Sequence, residues 1–298
     1  MKKVILDTDL GTDIDDSWAL GMLLNSEGLD TRLVLTATAD TAYRGAVAAK
    51  HLIEFGRTDV EVGLGPAFDD ERHLLSLMKW LDGFTVDQYP GKLRRDGVQR
   101  MIEIVEAEDE VTIIAIAALT NIGEFCRLRP DLVKKCHLVS MAGSLRKGHF
   151  DAPGKVEEWN VLCDIPAART VFSAGWKSII LTPLDHCGAL QLTGDTYLRF
   201  KNSETPIAKS IMEAYRSWKQ NCHFAASDPE IESSILFDTA AVHLAVTRED
   251  SIIESHRILV SDEGFILENQ PDGYPVDFAV DWTDKQAYLE HLTDVLLK

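Results

Sequence analysis

Five carboxylates fall within ten residues near the start of the chain, in the run Asp7-Thr8-Asp9-Leu10-Gly11-Thr12-Asp13-Ile14-Asp15-Asp16. The run follows a short apolar strand pattern and leads into helical spacing, so it sits where a first β-strand hands over to its helix. In parallel α/β sheets that is where ligands bind. Asp7 and Asp9 alternate with Thr8 and are expected to point to one side of the strand exit. Asp15 and Asp16 open the helix, where the macrodipole favours an anion by less than about 2 kcal/mol. That is too little to hold several like charges together, and capping alone needs one or two acids. A hard cation is the expected partner. Oxygen ligands without nearby histidine or cysteine favour Ca²⁺ or Mg²⁺ over zinc. The spacing is not an EF-hand loop, because Gly11 stands at the fifth position and no glutamate stands at the twelfth.

Further candidates are scattered. Glu158 and Asn160 lie two apart in Glu158-Trp159-Asn160-Val161, so an extended segment would turn both to one side. Asp238 heads an apolar helical stretch and by itself reads as an N-cap. Trp80, Tyr89 and Trp159 could stack on a flat ring. His149, His223 and Tyr215 are candidate proton donors, whereas His186 and His243 read as structural.

The elements that must position these groups alternate. The runs VILDTD, LVLTAT, VEVGLG, VTIIAIA, CHLVSMAG and KSIILTPL are β-branched or apolar, and between them residues 15–25, 42–56, 97–107 and 166–174 carry apolar residues at three- and four-residue spacing. This predicts βαβ units and a mainly parallel sheet flanked by helices. Residues 67–96 break the alternation and read as an insertion near the site mouth. After about residue 184 longer helices, 205–222 and 238–247, are followed by short strands in RILVSD and GFILE. With no linker or repeat, residues 1–298 are expected to form one domain with a C-terminal subregion.

Composition narrows the function. Hydrophobic residues make up 45% and charged residues 26%, and no apolar run approaches the roughly 18 residues of a membrane span. The apolar run of MKKVILDTDL is broken at Asp7, too early for a secretory segment, which points to the cytoplasm. Five cysteines without CxxC spacing read as buried thiols rather than a disulfide or zinc framework. A formal net charge of −18 repels a phosphate backbone, so nucleic acid is not an expected partner; a cation or small neutral molecule is.

The N-terminal run resembles the signature of the inosine/uridine-type nucleoside hydrolases, in the variant with two extra residues before the final acid pair. Other segments agree in order: Ala39-Asp40-Thr41, Ala118-Leu119-Thr120-Asn121-Ile122, Met141-Ala142-Gly143-Ser144, Glu158-Trp159-Asn160-Val161 with Asp164, and Phe237-Asp238. The resemblance implies a Rossmann-like, nucleoside hydrolase-like α/β fold and a homodimer or homotetramer. It implies Ca²⁺ held by Asp9, Asp16, Asp238 and the backbone carbonyl of Ile116, with Asp7 supporting those ligands. Asp15, Asp40, Glu158 and Asn160 would grip the ribose, with Trp159 beside the base.

The implied reaction is calcium-dependent hydrolysis of the N-glycosidic bond of a ribonucleoside. Calcium would bind the ribose diol and hold the attacking water, and Asp9 would act as general base. An acidic pocket suits the positive charge that develops on the ribose. The chain departs from the best-known members at Phe237, where they carry a histidine, so departure of the base would rest on another acid, with His149, His223 and Tyr215 as candidates, on aromatic stacking that raises the basicity of the base, or on an intrinsically better leaving group. Two other readings compete. A non-catalytic nucleoside binder could keep the calcium cage. A strand ending in Asp-Thr-Asp also opens haloacid-dehalogenase-like phosphatases, but that reading leaves Asp15 and Asp16 unexplained.

Overall fold

The structure, a computed structural model, describes residues 1–68, 70 and 74–298. Its strands are β1 (Lys2–Thr8), β2 (Leu29–Thr36), β3 (Glu61–Leu64), β4 (Leu93–Arg94), β5 (Val111–Ala115), β6 (Cys136–Met141), β7 (Ser178–Thr182), β8 (Ser251–Val260), β9 (Ile266–Leu267) and β10 (Tyr274–Trp282). They form one sheet in the order β4-β3-β2-β1-β5-β6-β7-β10-β8-β9. The sheet is parallel from β4 through β10, and β8 and β9 add antiparallel pairs at the far edge.

The central strands of the parallel sheet are apolar on both faces because helices cover both sides. Along β1, Val4 and Leu6 enter one core cluster and Ile5 enters the other. The same alternation sends Val139 and Leu138 of β6, and Ile180 and Leu181 of β7, to opposite sides. The first side is filled by helices Asp15–Asn25, Thr41–Glu54, Pro206–Asn221, Thr239–Val246 and Lys285–Leu296, and the second by Gly97–Ala107, Thr120–Leu128 and Ile165–Ser173. The mainly parallel α/β architecture expected from the sequence is the one the chain adopts.

The six predicted parallel strands and the helices at 15–25, 41–54, 97–107, 165–173, 206–221 and 239–246 are all present. Strand β10 was not anticipated. Pro275 near its start and the preceding Gly273 read as a turn, and its ladder with β7 consists of Asp277 and Phe278 alone. Of the stretch 67–96, residues 69 and 71–73 lie outside the described residues. The remainder supplies helix Met78–Leu81, a 3-10 turn at Val86–Gln88 and edge strand β4. Trp80 and Tyr89 are buried there, Trp80 against His51 at 4.4 Å between ring centroids and Tyr89 with its hydroxyl donating to the Val60 carbonyl at 2.6 Å. Both are core rather than ligand-stacking aromatics.

Chain order decides where a crevice opens. β1 is followed by β2 and β3 on one side, and β5 then returns to pair with β1 on the other. The connections therefore diverge between the carboxyl ends of β1 and β5, the topological switch point of the sheet.

Candidate active site

A cavity of about 620 Å³ opens at that switch point. Asp9, Ile116, Met141 and Leu184, which end or follow β1, β5, β6 and β7, line its floor. A second cavity of about 700 Å³ lies at the opposite ends of the strands and mixes Lys2, Lys3 and Arg248 with Glu108, Asp109 and Glu110. It has neither the buried acids nor the aromatic wall of the first.

The acidic pole of the carboxyl-end cavity is built from two helix starts. Asp15 and Asp16 begin helix Asp15–Asn25, and Asp238 occupies the N-cap position of helix Thr239–Val246. None of the three caps its own helix with its side chain. They turn toward one another instead, with ligand oxygens within 4.8 Å, and all three residues are buried. The Asp238 backbone N–H donates to Asp15 Oδ2 at 3.2 Å, and Thr8 Oγ1 donates to Asp16 Oδ1. Burial, and then mutual repulsion, pushes the carboxyls of Asp15, Asp16 and Asp238 well above the usual range. Clustered buried carboxylates with raised proton affinity and few donors are what a hard divalent cation would relieve. The donor set fits such an ion.

Asp9 lies on the same wall and is buried, which raises its carboxyl, while the charge of Arg44 works in the other direction. Arg44 was not singled out from the sequence. It is fully buried, and its guanidinium donates to the carbonyl of Asp9, to Leu10 O at 3.1 Å, to Thr38 O at 2.6 Å and to Thr12 Oγ1 at 3.1 Å. It thereby ties down the loop that carries Asp9 and the exit of β2, where Thr38 and Ala39 take φ of 74° and 54°. Tyr43, one residue earlier, donates to Gly11 O at 3.0 Å and accepts from Leu77 N–H at 2.8 Å. The only hint in the sequence was an arginine inside the otherwise apolar helical stretch TAYRGAVAAK.

Asp7 is displaced from the position expected for it. The alternation lasts only to the end of β1 at Thr8, so Asp7 turns to the opposite face and Asp9 enters the cavity. Asp7 Oδ1 accepts from Asn121 Nδ2 at 2.7 Å, and the same amide reaches Thr36 O at 3.2 Å. Burial pushes the Asp7 carboxyl up to about 8 despite the Asn121 bond. Asp13 lines the cavity, with its carboxyl pushed up to about 6 by burial although it accepts from Ile14 N–H.

Glu158 and Asn160 reach the cavity by a different route from the extended segment expected. Trp159–Cys163 is a short helix with Glu158 at its N-cap. Glu158 accepts from the N–H groups of Asn160 at 2.8 Å, Val161 at 3.2 Å and Gly143 at 2.9 Å, which locks it against the turn after β6. Asn160 Nδ2 donates to Met141 O at 3.0 Å. Both residues and Trp159 line the cavity.

Two candidates lie elsewhere. Asp40 is exposed and caps helix Thr41–Glu54, accepting from Tyr43 N–H at 2.9 Å, and it is not on the cavity wall. Tyr215 is buried in the core, its hydroxyl donating to Glu232 O at 3.2 Å, because its helix turns that face toward Trp18. His149 and His223 do line the cavity. His149 meets the Phe237 ring edge-on at 5.6 Å, and burial lowers its proton affinity. His186 is structural as expected, held by Thr182 and Ser251 and stacked on Trp282 at 4.0 Å.

The sequence profile of the inosine-uridine preferring nucleoside hydrolases matches residues 4–287. The chain belongs to this family. It is thus an N-glycosidic hydrolase. The chain is 28% identical to the probable uridine nucleosidase 2 of Arabidopsis thaliana over 81% of its length and 76% of the relative's. Identity to the inosine-uridine preferring nucleoside hydrolase of Crithidia fasciculata is 24%, over 88% and 84% of the two chains. The fold superposes on a plant nucleoside hydrolase structure with a TM-score of 0.80 at 24% identity, covering 99% of each chain. Among the described residues no helix is long and apolar enough to cross a membrane.

Proposed function

We propose that the chain hydrolyses the N-glycosidic bond of a ribonucleoside in a calcium-dependent reaction at the carboxyl-end cavity. The observation that carries this reading is the trio Asp15, Asp16 and Asp238, buried within 4.8 Å of one another and unused as caps at one pole of a cavity large enough for a nucleoside. Asp16 and Asp238 would hold the ion, with Asp9 and the carbonyl of Ile116 on the same wall. A bound divalent cation supplies concentrated positive charge that binds and orients hydroxyl and water oxygens.

The protein's own groups do the rest. Asp15, Glu158 and Asn160, anchored by backbone hydrogen bonds, present fixed oxygens to the ribose hydroxyls. Prepaid orientation of this kind turns attack at C1′ into a near-unimolecular step. Asp9 accepts the proton of the attacking water, its carboxyl raised by burial and held down in part by the charge of Arg44. The surrounding carboxylates stabilise positive charge as it grows on the ribose ring. Asp7 braces the site through Asn121 and takes no part in contacting substrate.

The same family resemblance supports a homodimer or homotetramer, which sedimentation velocity would distinguish. The catalytic reading is tested by base release from purine and pyrimidine ribonucleosides and an aryl riboside, with calcium and with excess chelator. Turnover that survives complete chelation would overturn the calcium requirement, and no turnover of any riboside would overturn the reading as a whole.

A further inference from the structure

The leaving group can be narrowed further, on the reading that the chain hydrolyses ribosides. Six acidic side chains line the cavity, Asp9, Asp13, Asp15, Asp16, Glu158 and Asp238, and among the described residues no lysine or arginine does. Arg44 is committed to backbone carbonyls and the Thr12 hydroxyl beneath the wall. One divalent ion would offset this acidic lining only in part, and no basic side chain faces it from the wall.

Five aromatic rings share the remaining wall with aliphatic and polar side chains, among them Ile116, Met141, Leu184 and Ile235. Phe150, Trp159, Trp218, Phe224 and Phe237 line it, and Phe150 and Phe224 remain 66% and 47% exposed. Phe150 takes φ of 59°, a conformation that costs a side chain on the order of 1–3 kcal/mol, and its N–H is fastened to Gly188 O at 2.8 Å. Such a ring is held at the wall rather than packed in the core.

A neutral purine or pyrimidine leaves as an anion unless it receives a proton. The two histidines on the wall that could give one, His149 and His223, have no carboxylate partner among the described residues, and His149 meets the Phe237 ring edge-on, with its proton affinity lowered by burial. A leaving group that already carries positive charge has no such need. Aromatic faces attract a cation by about 0.5–2 kcal/mol, more where water is excluded.

We propose that the preferred substrate is a riboside of a cationic aromatic ring, an N-ribosylpyridinium, which the aromatic wall and the acidic field select over neutral nucleosides. The C1′–N bond breaks with its electron pair passing to the ring nitrogen, so the aglycone departs as a neutral pyridine. The water oxygen bonds to C1′ and its proton passes through a carboxylate to solvent, giving ribose, pyridine and one H⁺. Positive charge thus moves from the aromatic wall toward the carboxylates, which stabilises the transition state more than the bound substrate.

The test compares kcat/KM for 3-carbamoyl-1-(β-D-ribofuranosyl)pyridinium, uridine, inosine and 4-nitrophenyl β-D-riboside, all with calcium. The nitrophenyl riboside has a good leaving group without charge and so isolates recognition of the cation. The pyridinium riboside is expected to exceed each of the others by about tenfold or more, and Phe150→Leu and Phe224→Leu should each raise its KM about 3- to 5-fold relative to the nitrophenyl riboside. Equal rates for the pyridinium and nitrophenyl ribosides would overturn charge recognition. Faster uridine or inosine would overturn the proposal while leaving the hydrolase intact, and no turnover of any of the four would overturn both.

Discussion

At the scale of single residues, the carboxylate trio makes opposite demands on stability and function. Asp16 is buried beside Asp9 and Asp13, and without a cation the Thr8 hydroxyl and the charge of Arg44 offset their repulsion only in part. Asp16→Asn, which keeps an oxygen for the Thr8 hydroxyl, should therefore raise the melting temperature of the chelated protein, by an amount equivalent to about 1–3 kcal/mol. The same variant should lose calcium binding in isothermal titration calorimetry; an unchanged affinity would remove Asp16 from the ligand set. Gly11 is constrained in a different way. It takes φ of 104°, and a Cβ there would meet Tyr43 Oη at 2.7 Å. Gly11→Ala must push away the tyrosine that anchors the loop, at a cost of about 1–3 kcal/mol, and we expect at least a tenfold fall in kcat/KM because Asp9 moves with the loop.

Between elements, a buried arginine and a buried glutamate do the fastening. Arg44 joins helix Thr41–Glu54 to the loop after β1 through three acceptors and to the exit of β2 through a fourth, so Arg44→Met should destabilise the fold by about 3–5 kcal/mol by leaving carbonyls unsatisfied, readable as a lower urea midpoint. At the sheet edge, Glu61 of β3 accepts from Arg94 of β4 at 2.7 Å and from Arg100 of helix Gly97–Ala107 at 2.8 Å. Burial works to raise its carboxyl, but these bonds outweigh it and hold the group at about 2, below its ordinary 4.5. A depressed carboxylate contributes stability that is present above the unfolded value and lost as pH falls through the folded one. The contribution, about 3 kcal/mol at neutral pH, should disappear between about pH 4.5 and 2. Glu61→Gln should flatten urea-unfolding free energy over that window; an unaltered pH slope would show that the pair does not anchor the edge.

For the molecule as a whole, a ligand that binds the folded cage and not the unfolded chain must raise stability by mass action. Calcium at about a hundred times its dissociation constant should add about 2.7 kcal/mol, seen as a concentration-dependent rise in melting temperature that chelator reverses. Added sodium chloride should give a smaller, saturating rise, because a net charge of −18 repels itself and salt screens it. A calcium response no larger than that of sodium at equal ionic strength would mean that the charge is screened rather than specifically bound.

The layered α/β plan is legible in one dimension, because apolar runs with alternating faces and helices at 3.6-residue spacing are local patterns that survive any tertiary arrangement. The sequence also marked Asp9, Asp15, Asp16, Glu158, Trp159, Asn160 and Asp238, since a crowd of acids and a set of ordered motifs are visible in one dimension. Tertiary structure alone decided which of the acids converge. Asp7 turned away because β1 ends one residue before Asp9, Asp40 became a cap where the chain leaves β2, and Tyr215 fell on the core face of its helix. Arg44 and Phe150 escaped notice for the same reason. The partners of Arg44 are carbonyls supplied by two separate loops, and Phe150 reaches the cavity through a backbone conformation that its own side chain does not signal. Contacts between distant segments carry no local signature, so the crowding of acids was legible and its geometry was not.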